Sequence, residues 1–323
     1  MPERIVRFQR GRCLMDGIPA RKRLRAKSGL LTLQMQMADP RCPPPFRRLG
    51  PVPILLPVVL SVPHAGRAYS AALLRSSRLP LIRLETLEDR LVDRLIGPAV
   101  NAGAAVLVAD APRAEIDLNR DERELDPGMV APRPQPSELI DTPRLRGGLG
   151  LIPARMSGTG NIWRDRIPQT EVRRRVEEIH RPYHLALAEA LEEARRRFGI
   201  AVLLDCHSMP PRGANDEEAQ VVLGDRHGTS AAPELVAAAE RAVREAGYGV
   251  VRNVPYAGGH ITATHGRPER GVHAIQIEID RSVYLGPDLR SPGEGFERTA
   301  KLIGAVTRAL AAAAAPAQNI AAE

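Results

Sequence analysis

The stretch IAVLLDCHSM, residues 200–209, decides the fold. Its first five residues are apolar without alternation, as in a strand buried on both faces of a sheet. The run then breaks off at Asp205, Cys206 and His207. In open α/β sheets the ligand site lies beyond the carboxyl ends of parallel strands, so His207 is placed to meet a substrate or a metal. The competing reading is a solvated strand end, because many such ends carry polar residues with no chemical task.

A second strand with a similar ending lies upstream. Residues 54–62 read as buried strand despite Pro57, and they deliver Ser61-Val62-Pro63-His64-Ala65-Gly66. Leu87, Leu91, Leu95 and Ile96 form the apolar stripe of a helix over 86–102, stopped by Asn101-Ala102-Gly103, and 104–109 follow as a strand. Strand, helix, strand implies a right-handed crossover between parallel neighbours. Arg113 and the cluster Asp117-Leu118-Asn119-Arg120 come next, then a long Pro- and Gly-rich segment to Gln169, and loops of that length in compact domains are commonly functional or mobile. A helix over 170–198, bent where Pro182 removes a backbone donor, leads through Gly199 into the central strand. Strands at 219–224 and 249–254 flank a helix over 233–246, and the last strand is 273–280, HAIQIEID. Ser291-Pro292-Gly293-Glu294 has the capping-box pattern and opens a final helix to residue 314.

Composition narrows the function classes. The 323-residue chain carries +8, but residues 1–50 hold twelve Lys or Arg against Glu3, Asp16 and Asp39, and their +9 leaves −1 on the body. With three lysines and 3% aromatic residues, the chain lacks both the basic face and the stacking platform of a nucleic-acid binder. Cys13, Cys42 and Cys206 form no even, regularly spaced set, so no disulfide framework is expected and a reducing cytoplasm fits. No run approaches the roughly 20 apolar residues of a spanning helix, and no apolar h-region follows the early arginines. The expected organisation is a basic, disordered leader over 1–50, a single domain over 51–315 and a tail over 316–323.

Several residues suit catalysis. On the last strand Gln276, Glu278 and Asp280 share one face and Ile275, Ile277 and Ile279 the other. A carboxylate in so apolar a strand needs a partner or a place at the sheet mouth, and a salt bridge from Glu278 to Arg281 is the plain alternative to a chemical role. Catalytic zinc sites use three His or carboxylate ligands and leave one position open. His64 and His207 supply two from adjacent strand ends, and Glu88, Asp89 or Asp93 supplies the third; spacing does not choose among them. Asp205 shares the face of His207 and can orient it. A Cys206–His207 dyad fails because adjacent strand residues face opposite ways, and the chain has neither a G-x-S-x-G elbow nor a phosphate-binding P-loop. His180 and His184 stand one helical turn apart, but Arg181 occupies the place of the Glu that an H-E-x-x-H site requires. In Gly258-Gly259-His260-Ile261-Thr262 the glycines allow close backbone approach to a ligand, and His260 suits substrate binding or carbonyl polarisation. Arg113 and Arg120 are of the type that forks onto a carboxylate.

SVPHAG, the D-x-x-V-x-R-L of Asp89 to Leu95, the R-x-x-I-D-L-N-R of Arg113 to Arg120, RPYH at 181–184, LLDCHSM, GGHIT and HAIQIEI resemble, in that order, the N-formylglutamate amidohydrolases of histidine breakdown. The resemblance spans 52–310. It implies an α/β fold of zinc-exopeptidase type, a three-layer α/β/α sandwich around a mixed, mostly parallel sheet. It also implies one divalent zinc on His64, Asp89 and His207, which singles out Asp89, with Glu278 as catalytic carboxylate and His260 assisting at the carbonyl. Arg113, Asn119, Arg120 and Thr262 are then substrate-binding. The expected reaction is cleavage of a small N-acyl amino acid, N-formyl-L-glutamate, to formate and glutamate in the cytoplasm, with no nucleic-acid or membrane partner. Alternatives are the same machinery on another N-acyl amino acid or peptidic amide, and a binding protein without activity. The segment 126–151 and the leader depart from the family pattern, and nothing in the sequence indicates an oligomeric state.

Overall fold

The computed structural model describes residues 45–156, 158–212 and 220–315. Seven strands form one mixed sheet: β1 Phe46–Leu49, β2 Val58–Val62, β3 Ala105–Ala109, β4 Ala201–Met209, β5 Val221–Gly224, β6 Val250–Arg252 and β7 Val272–Asp280, in spatial order β1-β3-β2-β4-β7-β5-β6. Strands β3, β2, β4 and β7 run parallel. Strand β1 pairs antiparallel with β3, and β5 antiparallel with β7. The sheet is therefore mixed and mostly parallel, as the resemblance implies.

Alternation along the strands feeds two cores, one on each face. Val58, Leu60, Val62, Val202, Leu204 and Cys206 pack under the helices Val92–Leu95, Gly97–Asn101, Pro233–Glu245 and Phe296–Ala314. Val59, Leu107 and Leu203 pack under Arg181–Phe198 and the segment that links β3 to it. This makes three layers. Burying each such Val, Leu or Ile contributes about 1.5–3 kcal/mol, enough in aggregate for the sheet to hold a few buried polar groups at its mouth. Asp205 and His207 lie on the second face, and Glu278 pairs in register with His207 on neighbouring β7. Among the described residues no helix is long and apolar enough to cross a membrane.

Four expectations need correction. The leader does not extend to residue 50: Phe46–Leu49 is the edge strand β1, with Arg47 paired to Asp110 and Arg48 to Glu193. The rest of the leader, 1–44, and the tail from 316 lie outside the described residues. The helix over 86–102 is broken into Val92–Leu95 and Gly97–Asn101, because the backbone reverses at Leu91 with φ 61° and Pro98 has no N–H for a continuous ladder. Strand β4 continues through Met209, so His207 stands within it and all nine residues are buried. The final helix starts at Phe296, not at Ser291; the Ser291 hydroxyl donates to Asp288 and Pro292 bridges Leu285, which holds this segment extended.

Candidate active site

The parallel neighbours β2 and β4 bring His64 and His207 to the same edge. His64 lies two residues past β2. The broken helix supplies the third group: the Asp89 N–H donates to the His64 carbonyl at 2.9 Å, which swings the Asp89 carboxylate over the strand ends. One donor atom of each of His64, Asp89 and His207 lies within 4.8 Å of the other two, and all three residues are buried. Asp89 Oδ2 is 3.0 Å from His207 Nδ1 and 3.3 Å from His64 Nδ1. The other two carboxylates considered point elsewhere, Glu88 to Tyr69 and Arg90, and Asp93 to Arg67.

Each imidazole is held from behind by an acid. His64 Nε2 donates to Asp117 Oδ1 at 2.7 Å and His207 Nε2 to Asp205 Oδ2 at 2.8 Å. Those bonds place a proton on each Nε2 and turn each Nδ1 toward Asp89, the arrangement of a ligating histidine with a carboxylate behind it. His64 Nδ1 is buried with no hydrogen-bond partner among the described residues. Against the upward push of burial, His207 and His64 hold the Asp89 carboxyl well below its usual range. For His207 burial acts downward, but Asp205 and Asp89 raise its pKa well above the ordinary value, and a cation can take the place of the proton on Nδ1. Two imidazoles and a carboxylate converging on an orphaned lone pair fit a divalent ion such as zinc.

Glu278 has no Arg or Lys within ion-pair reach among the described residues; Arg281, its expected structural partner, lies 3.2 Å from Asp89 Oδ1 instead. Its Oε1 accepts from Gln276 Nε2 at 2.9 Å. Burial pushes the Glu278 carboxyl up to about 7, with His207 opposing and Asp89 adding to the rise. His64, Asp89, His207 and Glu278 share one cavity of about 350 Å³ with Arg113, Asn119, Arg120 and Arg144.

The arginines differ in how far they are committed. Arg113 Nε donates to Asp117 Oδ2 at 2.9 Å, and Arg120 donates to the carbonyls of Leu149 and Asn119. Arg144, on the short helix Pro143–Arg146, has no ion pair or side-chain hydrogen bond among the described residues. Sequence reasoning gave no role to Arg144 or Asp117. Asp117 had a signal, its place between Arg113 and Asn119; Arg144 had none among 43 arginines.

Two expected contributors stand outside the cavity wall. His260 opens the helix His260–His265 and faces His184 with ring centroids 5.3 Å apart. Thr262 is buried and its hydroxyl donates to the Gly259 carbonyl. What the glycine loop does is pack on Asn119. Asn119 Oδ1 accepts from Ile261 N at 2.8 Å, and its Nδ2 lies 3.2 Å from His207 Nε2. A Cβ on Gly259 would lie 2.3–2.5 Å from all three end atoms of that amide. Gly259→Ala is therefore expected to displace Asn119 and lower kcat/KM by about 10- to 100-fold, since a 1 Å misplacement near reacting groups costs about that much. Kinetics on folded protein check it, and wild-type kcat/KM would show that Asn119 does not position the site.

The chain matches the family model for N-formylglutamate amidohydrolase over residues 56–285. It is 32% identical over 238 residues to the N-formylglutamate deformylase of Pseudomonas putida, covering 71% of this chain and 82% of the relative. It is 31% identical over 236 residues to the Pseudomonas aeruginosa deformylase, with the same coverage. The crystal structure of N-formylglutamate amidohydrolase from Ralstonia eutropha JMP134 superposes with a TM-score of 0.75 at 36% identity, over 81% of this chain and 95% of that one. A protein of Agrobacterium tumefaciens, 18% identical with a TM-score of 0.58, shares the fold over 84% of this chain and 95% of its own.

Proposed function

Because this chain belongs to the N-formylglutamate amidohydrolase family, we propose that it hydrolyses N-formyl-L-glutamate to formate and L-glutamate, using one zinc ion held by His64, Asp89 and His207. The observation that carries this reading is the buried His64 Nδ1, with no hydrogen-bond partner among the described residues and 3.3 Å from Asp89 Oδ2, in the cavity that also holds His207 and Glu278. When bound, the ion supplies Lewis acidity to the amide carbonyl and to the attacking water.

The chain's own residues do the rest. Asp117 and Asp205 keep the two imidazoles oriented with Nδ1 inward. Glu278 takes the proton of the attacking water and returns it to the leaving nitrogen; a carboxyl at about 7 is suited to both steps near neutral pH. Arg113 and Arg120 make the cavity electropositive while staying tied to Asp117, Asn119 and Leu149. Arg144 presents an uncommitted guanidinium to a substrate carboxylate. We place the reaction in histidine breakdown, as the resemblance implies, and in the reducing cytoplasm that the cysteine pattern fits.

A charge-assisted hydrogen bond is worth about 1.5–3 kcal/mol, so Arg144→Ala should raise KM for N-formyl-L-glutamate about 10- to 150-fold with a smaller change in kcat. Steady-state kinetics on N-formyl and N-acetyl amino acids test both points. The reading predicts that N-formyl-L-glutamate is the best substrate and that its KM depends on Arg144. A preferred N-acetyl or uncharged substrate would assign the cavity to another amide.

A further inference from the structure

The helical stretch under the second core is interrupted. A π turn, Val176–His180, separates Gln169–Arg175 from Arg181–Phe198, next to Pro182, which has no N–H to continue the α ladder. The interruption leaves His180 and His184 on one side of the helix, ring centroids 4.4 Å apart, and His260 faces both from the short helix His260–His265. One ring nitrogen of each of these three histidines lies within 4.8 Å of the other two.

The hydrogen bonds around them set the tautomers. His180 Nε2 lies 2.9 Å from the Arg120 carbonyl, and His184 Nε2 lies 2.9 Å from the Leu118 carbonyl. A carbonyl only accepts, so both Nε2 atoms carry protons and both Nδ1 atoms present lone pairs. Ligating histidines are commonly anchored in this way by a backbone carbonyl. His180 is 3% exposed, and its Nδ1 is buried without a hydrogen-bond partner among the described residues. The nearest acid is Glu122, 3.6 Å away and already engaged by Arg181. His184 Nδ1 accepts a hydrogen bond from His265 Nε2 at 3.0 Å, which a bound ion would displace, and among the described residues the His260 ring has only the Thr264 hydroxyl within hydrogen-bond reach. Burial and the neighbouring His180 lower the His260 pKa, with the charges of Asp121, Glu124 and Glu122 opposing them.

We propose that His180, His184 and His260 form a second metal site, separate from the catalytic cavity, for a divalent ion that favours imidazole, of the zinc, nickel or copper class. All-imidazole donors select these ions over magnesium or calcium. Zinc–nitrogen bonds of about 2.0–2.1 Å require the rings to close by roughly 1 Å, within reach of side-chain rotation, and Glu122 stands near enough to His180 to complete the set. The ion ties the π turn to the helix whose second residue, Ile261, holds Asn119 beside His207. Its occupancy therefore stiffens the wall behind the catalytic centre without contributing a reacting group.

The test counts ions. Full-length protein is loaded with Zn²⁺, desalted and measured for zinc per chain, alongside His260→Gln and His180→Gln. The half-exposed His260 makes its variant the one least disturbed in folding. The site predicts two ions in the wild type and one in each variant. It also predicts that Zn²⁺ raises the thermal midpoint of Asp89→Asn protein and that adding His260→Gln removes this rise. A single ion in the wild type that both His260→Gln and His180→Gln retain, or two ions retained in both single variants, overturns the proposal.

Discussion

Glu278→Gln is expected to lower kcat by at least 100-fold while the protein keeps the ion proposed at His64, Asp89 and His207, because general-base contributions are typically about 10²–10⁴-fold. The substitution preserves shape. Glu278 Oε1 accepts from Gln276 Nε2, and the Gln amide oxygen can accept the same bond. Burial already works against the charge on Glu278, so removing that charge should leave the thermal midpoint unchanged or higher. If Glu278 served only the fold, the variant would turn over at nearly the wild-type rate. Measuring kcat, bound metal and midpoint on one preparation separates the two cases.

Asp89→Asn should have the other large effect, through a different route. Asp89 Oδ2 lies between His64 Nδ1 and His207 Nδ1, so in the proposed centre losing its charge removes a ligand and not merely a support. Zinc affinity is expected to fall by more than 100-fold, with activity at background. Asp117→Asn leaves all three ligands in place and weakens the acid behind His64, which also accepts from Arg113 Nε and Asn119 N, and such changes cost about 10- to 100-fold in affinity. Asp89 also accepts from Arg281 Nη2, so Asp89→Asn will lose some stability as well. Affinity is accordingly compared at equal folded fraction. An Asp89→Asn protein that binds zinc as tightly as Asp117→Asn would remove Asp89 from the ligand set.

The contrast between these acids shows how far the sequence could be read. The apolar runs before His207 and around Glu278 announced two buried parallel strands, and their register in the sheet does pair the two residues. Period alone chose the wrong conformation for 86–102. The leucine stripe reads as continuous helix, but the left-handed backbone at Leu91 sacrifices that helix to bring Asp89 onto the His64 carbonyl. That is why spacing left Glu88, Asp89 and Asp93 undecided until the family resemblance distinguished them. Arg144 was not legible because its place in the cavity depends on how the segment before Gln169 folds back over the sheet, a set of long-range contacts with no periodic signature. His260 does not line the cavity: the glycines before it permit close approach, and what they approach is Asn119.

The most direct measurement is formate release from N-formyl-L-glutamate by the purified chain as isolated, after chelation, and after zinc is restored. The proposed centre predicts rapid release, loss on chelation and recovery with zinc in the wild type, and no recovery in Asp89→Asn. Release that survives complete removal of metal, or recovery that is equal in Asp89→Asn, would contradict a catalytic centre built on His64, Asp89 and His207.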